Sequence, residues 1–112
     1  MAQPKAIEHP LYDLLQDEKI KEFNKKRASG DTCDFSGGHF RGLDLRGMNA
    51  DGINFSGAYF RAADLRGVDL SNANIEGASF ADAKISGVYF PKQVSPEEIR
   101  LSVDKGTRVR YK

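Results

Sequence analysis

The chain has 112 residues, a formal net charge of +1 and one cysteine. That length is one domain, the charge lacks the basic excess of a nucleic-acid binder, and a lone cysteine excludes a disulfide framework and fits a reducing compartment. No stretch approaches the ~20 apolar residues of a membrane span, and MAQPKAIEHP lacks the apolar run of a signal peptide, so a cytoplasmic protein without membrane attachment is expected.

Residues 1–32 carry six acids and six bases. Residues 1–8 read as a loose lead-in. Pro10 suits the first position of a helix, and Leu11, Leu14 and Leu15 share one face. Ile20 and Phe23 are also helical in spacing but point roughly 150° away from the leucines at ~100° per residue. Two short helices therefore fit, over about 10–16 and about 18–28. Asp17 is expected to cap the second, with Lys25, Lys26 and Arg27 near its end and Gly30 as its stop. The alternative is one continuous helix pinched between the coiled body of the chain and a partner.

From residue 33 to residue 92 the chain reads in twelve consecutive fives: CDFSG, GHFRG, LDLRG, MNADG, INFSG, AYFRA, ADLRG, VDLSN, ANIEG, ASFAD, AKISG, VYFPK. The third letter is large and apolar in eleven of twelve, Ala50 being the exception, and the fifth is glycine in eight. A period of five is neither helical nor strand-like. It describes a chain that buries one side chain and then turns, with glycine at the corner.

A longer period of 20 overlies it. Phe40, Phe60 and Phe80 repeat, as do Leu45, Leu65 and Ile85, Arg41 and Arg61, and Arg46 and Arg66. SGAYF and SGVYF, 30 residues apart, are a counter-example outweighed by the matches at 20. Four blocks then make one coil and twelve make three. At ~4.8 Å between backbones the stack is roughly 15 Å tall. First and third letters should point inward, Cys33 included as an inert small hydrophobe, and second and fourth letters outward. Ala50 should leave one side of the first coil thin unless Met48 fills it.

The blocks ADLRG, ANIEG and VDLSN resemble the A-(D/N)-L-x-x consensus of the pentapeptide-repeat family. The resemblance covers about half of the chain. It implies an all-β solenoid, a right-handed quadrilateral β-helix, of about three coils. The flanks HPLYDLL…EFNKKR and GVYFP…GTRVR are similar to those of small bacterial members without an assigned role. Related proteins often dimerise through their C-terminal ends. The expected organisation is an N-terminal helical cap over 1–32, the repeat β-helix over 33–92, and a C-terminal cap or dimerisation segment over 93–112. Solenoid ends need such covers, because they expose core rings and unpaired backbone.

In that last segment Ser95-Pro96-Glu97-Glu98 is a capping box. It predicts a helix over about 96–104 that buries Ile99 and Val103 and stops at Gly106. TRVRY then alternates like a strand. Ile99, Val103, Val109 and Tyr111 are candidate cap or dimer contacts. The strand either lies along the last coil or pairs with its copy in a second chain, which would make a homodimer.

Candidate sites lie on the outer faces. Arg41, Arg46, Arg61 and Arg66 form a candidate patch for an acidic partner or a phosphate. The plainer alternative is a salt-bridge ladder with Asp44 and Asp64, worth ~0–1 kcal/mol per pair. Ala81 and Ser86 end the patch at the third coil. His39, Tyr59 and Ser79 form one outward row, read as surface decoration, with Tyr89 in the fourth row. His9, His39 and Cys33 have no familiar metal spacing. The Asp and Asn recurring at second positions belong to the repeat, and Asn54-Phe55-Ser56 is a chance glycosylation triplet. No metal, no cofactor, no catalytic set and no nucleic acid are expected.

These features point to a non-enzymatic interaction or structural module with a protein partner. The alternative implied by the resemblance is a DNA-mimicking, gyrase-binding protein of the quinolone-protection type. Three coils span only four or five base pairs at ~3.4 Å each, and residues 33–92 hold seven acids against six bases, far from the charge of a duplex.

Overall fold

The computed structural model describes residues 9–27 and 33–112. The lead-in at 1–8 and the stop at Gly30 lie outside the described residues. Among those described there are three helices: α1 (Pro10–Gln16), α2 (Ile20–Arg27) and α3 (Pro96–Lys105).

Between α2 and α3 the chain coils. Parallel bridges join Asp34 to Asn54 and Asn54 to Asn74, His39 to Tyr59 and Tyr59 to Ser79, and Asp44 to Asp64 and Asp64 to Lys84. Every step is 20 residues, so four fives return the chain to the side from which it started. We number the coils one (33–52), two (53–72) and three (73–92). No extended strand occurs among the described residues, which differs from the all-β expectation. Each side is one bridged residue long before the next turn begins, too short for a ladder to grow.

The core is an axial column. Phe35, Phe40, Leu45, Phe55, Phe60, Leu65, Leu70, Ile75 and Phe80 are all fully buried. Phe40, Phe60 and Phe80 stack with centroids 5.1 Å apart at each step. Ile85, Phe90, Leu43 and Val88 are only partly buried. Ala50 and Met48 are both buried. The side they occupy is nevertheless irregular. Leu70 N–H reaches the Tyr89 carbonyl, whereas one coil earlier neither Ala50 N–H nor Asp69 N–H has a partner among the described residues.

Two of the four fifth letters that are not glycine also adopt a left-handed backbone, with φ 59° at Ala62 and 56° at Asp82, whereas Asn72 and Lys92 do not. That conformation costs an L-residue about 1–2 kcal/mol. Ala62→Gly should therefore raise stability by about 0.5–1 kcal/mol, after glycine's extra freedom in the unfolded chain is subtracted. Urea unfolding checks this, and a fall in the midpoint would contradict it.

The helices cover the two ends. Leu11, Tyr12, Leu15 and Phe23 are buried, and Tyr12 packs edgewise on Phe35 and Phe40, with centroids 5.8 and 5.4 Å apart. The cap predicted at Asp17 is not formed. Asp17 ends α1 instead, its N–H donating to the Asp13 carbonyl, and the chain turns at Glu18 with φ 57°. α2 begins when Phe23 N–H reaches the Lys19 carbonyl. At the other end Ser95 Oγ accepts from Glu98 N–H at 3.3 Å and Gly106 closes α3 with φ 76°. Proline at the first helical position and a left-handed glycine at the last fix that helix locally.

Candidate interaction surface

Stacked coils leave unpaired backbone groups at both ends of the column, and the flanking segments fill most of them with specific side chains. In coil three, the second letters donate to the coil before: Asn74, Ser79 and Lys84 N–H reach Ile53, Ala58 and Ala63 carbonyls. Coil one has no predecessor. There His39 N–H donates to Tyr12 Oη at 3.1 Å, Asp44 N–H to Glu18 Oε2, and Asn49 N–H to Asn24 Oδ1 at 2.8 Å. Tyr12 also donates back to the His39 carbonyl, and Asn24 to the Gly47 carbonyl. Arg27 adds a bond to the Asp51 carbonyl. One polar side chain thus stands on each of three sides in place of a missing coil.

The far end works in the same way. Phe40 and Phe60 N–H donate to carbonyls of the following coil, at Tyr59 and Ser79. Phe80 N–H finds Ser102 Oγ at 2.9 Å, and Ile75 N–H finds Tyr111 Oη at 2.9 Å. Gly77 and Asp82 N–H reach the Val109 and Val103 carbonyls. Residues 107–109 run antiparallel to coil three, with Val109 N–H donating to Ala78. Ile99 and Val109 are buried and Val103 and Tyr111 partly so, all four packed within this chain. Arg110 clamps Glu98, with Nη2 2.7 Å from the carboxylate.

That crossing segment changes the outward row. Ser79 is buried and donates to the Gly106 carbonyl at 3.1 Å. Arg108 lies over the Tyr59 ring, 4.8 Å from its centroid, and bonds its hydroxyl. Tyr59 and Ser79 are therefore contacts of the C-terminal segment rather than decoration. His39 and Tyr89 are exposed. His9 caps α1, its Nδ1 accepting from Leu11 N–H, and Cys33 is buried.

The four arginines divide into two pairs. Arg46 grips Asp44 through Nε at 2.9 Å and Nη2 at 2.8 Å, and Arg66 grips Asp64 at 2.9 and 2.7 Å. Arg46 Nε also lies 3.5 Å from Asp64, tying the rungs together. Arg41 and Arg61 are exposed and have no ion pair among the described residues. The difference lies two residues earlier. In LDLRG and ADLRG the second letter is aspartate, whereas in GHFRG and AYFRA it is His39 or Tyr59. Side chains two apart share a face in an extended segment, so only the DLR blocks supply a counter-ion.

The Arg66 guanidinium, hydrogen-bonded to Asp64, holds that carboxyl down at about 2. Arg46 lowers Asp44 in the same way. A carboxylate with a depressed folded pKa contributes stability above its unfolded value of about 4, and the contribution fades as pH falls toward about 2. Asp64→Asn should therefore flatten the stability profile across that acid window and leave its slope at neutral pH unchanged. Urea midpoints measured against pH test this, and an unaltered acid slope would refute it. Asp69 is lowered by the Ser71 hydroxyl, and Glu98 by Arg110.

Comparison with known proteins bears on the repeat stretch. The model of pentapeptide repeats matches residues 53–90, with eight copies. Residues 53–90 of the chain carry pentapeptide repeats. Such repeats imply a β-helix-type fold and a structural or interaction role. The matched stretch comprises coils two and three. Coil one, where the first letters include Cys33, Leu43 and Met48, lies before it yet shares the same 20-residue bridging. No curated protein and no solved structure matches the chain. Among the described residues no helix is long and apolar enough to cross a membrane.

Proposed function

We propose that this pentapeptide-repeat chain is a non-enzymatic interaction module: a right-handed quadrilateral β-helix that offers a rigid face to a protein partner. Arg41 and Arg61 carry the reading. They are exposed, they sit on sides joined by the His39–Tyr59 bridge, and they have no counter-ion among the described residues. Like charges one coil apart, ~5 Å, repel, so a partner's carboxylates or phosphates would relieve a cost the fold carries alone. Arg46 and Arg66, already neutralised by Asp44 and Asp64, are the weaker half of the patch.

The test compares three baits in pull-downs from the source cell's lysate, read by mass spectrometry: wild type, Arg41→Glu with Arg61→Glu, and Arg46→Glu with Arg66→Glu. Each bait is first checked for a cooperative thermal transition. A partner held by wild type and by the 46/66 variant but lost by the 41/61 variant is the expected result. A partner retained by the 41/61 variant, or no partner, would overturn the assignment of that face. Capture of DNA gyrase would favour the duplex-mimic alternative.

A further inference from the structure

The cover over coil three is incomplete, and the open part has the form of a strand-binding groove. Coil three should present donors along the axis where coil two does. In coil two, Leu65, Gly67 and Leu70 N–H reach the Lys84, Ser86 and Tyr89 carbonyls at 2.9, 2.9 and 2.7 Å. One rung later, Ile85, Gly87 and Phe90 N–H have no partner among the described residues. The neighbouring sides are closed by α3 and by residues 107–109, which already lie on coil three as an antiparallel segment. The stack therefore accepts an added backbone on one side and leaves the two following sides, 83–87 and 88–92, without one.

Beside these donors runs an apolar groove of about 560 Å³ between α3 and the end of coil three, lined by Ile85, Phe90, Val94, Ile99 and Val103. Ile85 and Phe90 are only partly buried, unlike Leu65 and Leu70 one coil earlier, and Val103 of α3 is partly buried too. Lys92 and Arg100 flank the groove, both exposed and without an ion pair among the described residues, against one acid, Asp104.

We propose that these open sides bind an extended, acidic–apolar peptide segment of a partner protein by strand addition. The peptide's carbonyls would take the open N–H groups of Ile85 and Gly87 on one side and, where the peptide bends past the corner, that of Phe90 on the next, its apolar side chains would enter the groove, and its carboxylates would meet Lys92 and Arg100. Open sheet edges are templates for this mode, with backbone bonds giving affinity and alternate side chains giving selectivity. The excess positive charge favours an acidic segment over a second copy of this chain, whose C-terminal region, 93–112, is itself basic with five bases against three acids. The proposal shares the interaction-module reading but does not use the arginine face.

A displayed library of random short peptides, selected against the whole chain, supplies the probe. The expected result is recovery of peptides that alternate apolar and acidic residues. On titration they should slow solvent exchange of the Ile85, Gly87 and Phe90 amides, read by NMR. Lys92→Glu with Arg100→Glu should weaken binding about tenfold, as two exposed charge pairs allow. Arg41→Glu with Arg61→Glu should leave the peptide's affinity unchanged, which separates this site from the arginine face. Three results would overturn the proposal. One is failure to recover any peptide. Another is peptides that protect other amides. The third is protection of the same three amides without peptide as protein concentration rises, which would make the occupant a second copy.

Discussion

Replacing Phe60 by alanine is expected to cost about 3–5 kcal/mol of unfolding free energy, the largest effect of any single substitution considered. Phe60 is fully buried between Phe40 and Phe80, with interplanar angles of 13° and 4°, and meets Phe55 edge-on at 5.2 Å. The loss has two parts: the transfer free energy of the ring, and the void left in a column whose backbone is pinned from above and below. Phe60 N–H donates to the Ser79 carbonyl and Tyr59 N–H to the Gly38 carbonyl, so the coils resist collapsing into the space. For a domain stable by about 5–15 kcal/mol, the variant could lose most of its margin. Phe90, half-buried at the open end and touching Phe80 edge-on at 5.8 Å, has less to lose, and Phe90→Ala should cost clearly less. Urea unfolding of both variants gives the comparison. Equal losses would mean that the column is not the source of stability.

The column could be foreseen because its signal is periodic. Phe40, Phe60 and Phe80 stand 20 apart in sequence, and the bridges run 20 apart in space. α3 was legible for a different reason: Ser95, Pro96 and Gly106 determine a helix start and stop through local backbone geometry. The division of the arginines could also have been read, from the aspartate two residues before Arg46 and Arg66 and its absence before Arg41 and Arg61. What could not be read were contacts made across long separations by single residues. Tyr12, Glu18 and Asn24 serve coil one because of how two short helices lie across it, and no pattern in residues 9–27 marks them. Asn24 gave the faintest sign, as a residue that competes for backbone bonds and sits poorly in helices. Asp17 has the chemistry of a cap, but α1 uses its N–H first. Ser79 is expected at the surface because second letters face outward; only the returning segment at 107–109 buries it.

Ser102→Ala should be the second most damaging change, although it removes one oxygen from a helix and replaces serine with a better helix former. Ser102 is fully buried, and its hydroxyl both accepts from Phe80 N–H and donates to the Thr107 carbonyl at 2.6 Å. Alanine leaves a donor and an acceptor unpaired at the end of the column. The Phe80 N–H left unsatisfied costs about 1–3 kcal/mol, the carbonyl of half-buried Thr107 can turn to water, and helix propensity returns roughly 0.5 kcal/mol, so a net loss of about 0.5–2.5 kcal/mol is expected. The effect should also be local. Amide exchange at Phe80 should quicken by more than that at Phe40, whose N–H has a backbone partner in Tyr59. Tyr111→Phe is the companion test, since Tyr111 Oη serves Ile75 N–H as Ser102 serves Phe80 but from a partly buried position where water can replace it. It should cost less than Ser102→Ala. If Ser102→Ala proved neutral and Phe80 exchange were unchanged, the coil end would be closed by apolar packing alone, and the two hydroxyls would not be standing in for a fourth coil.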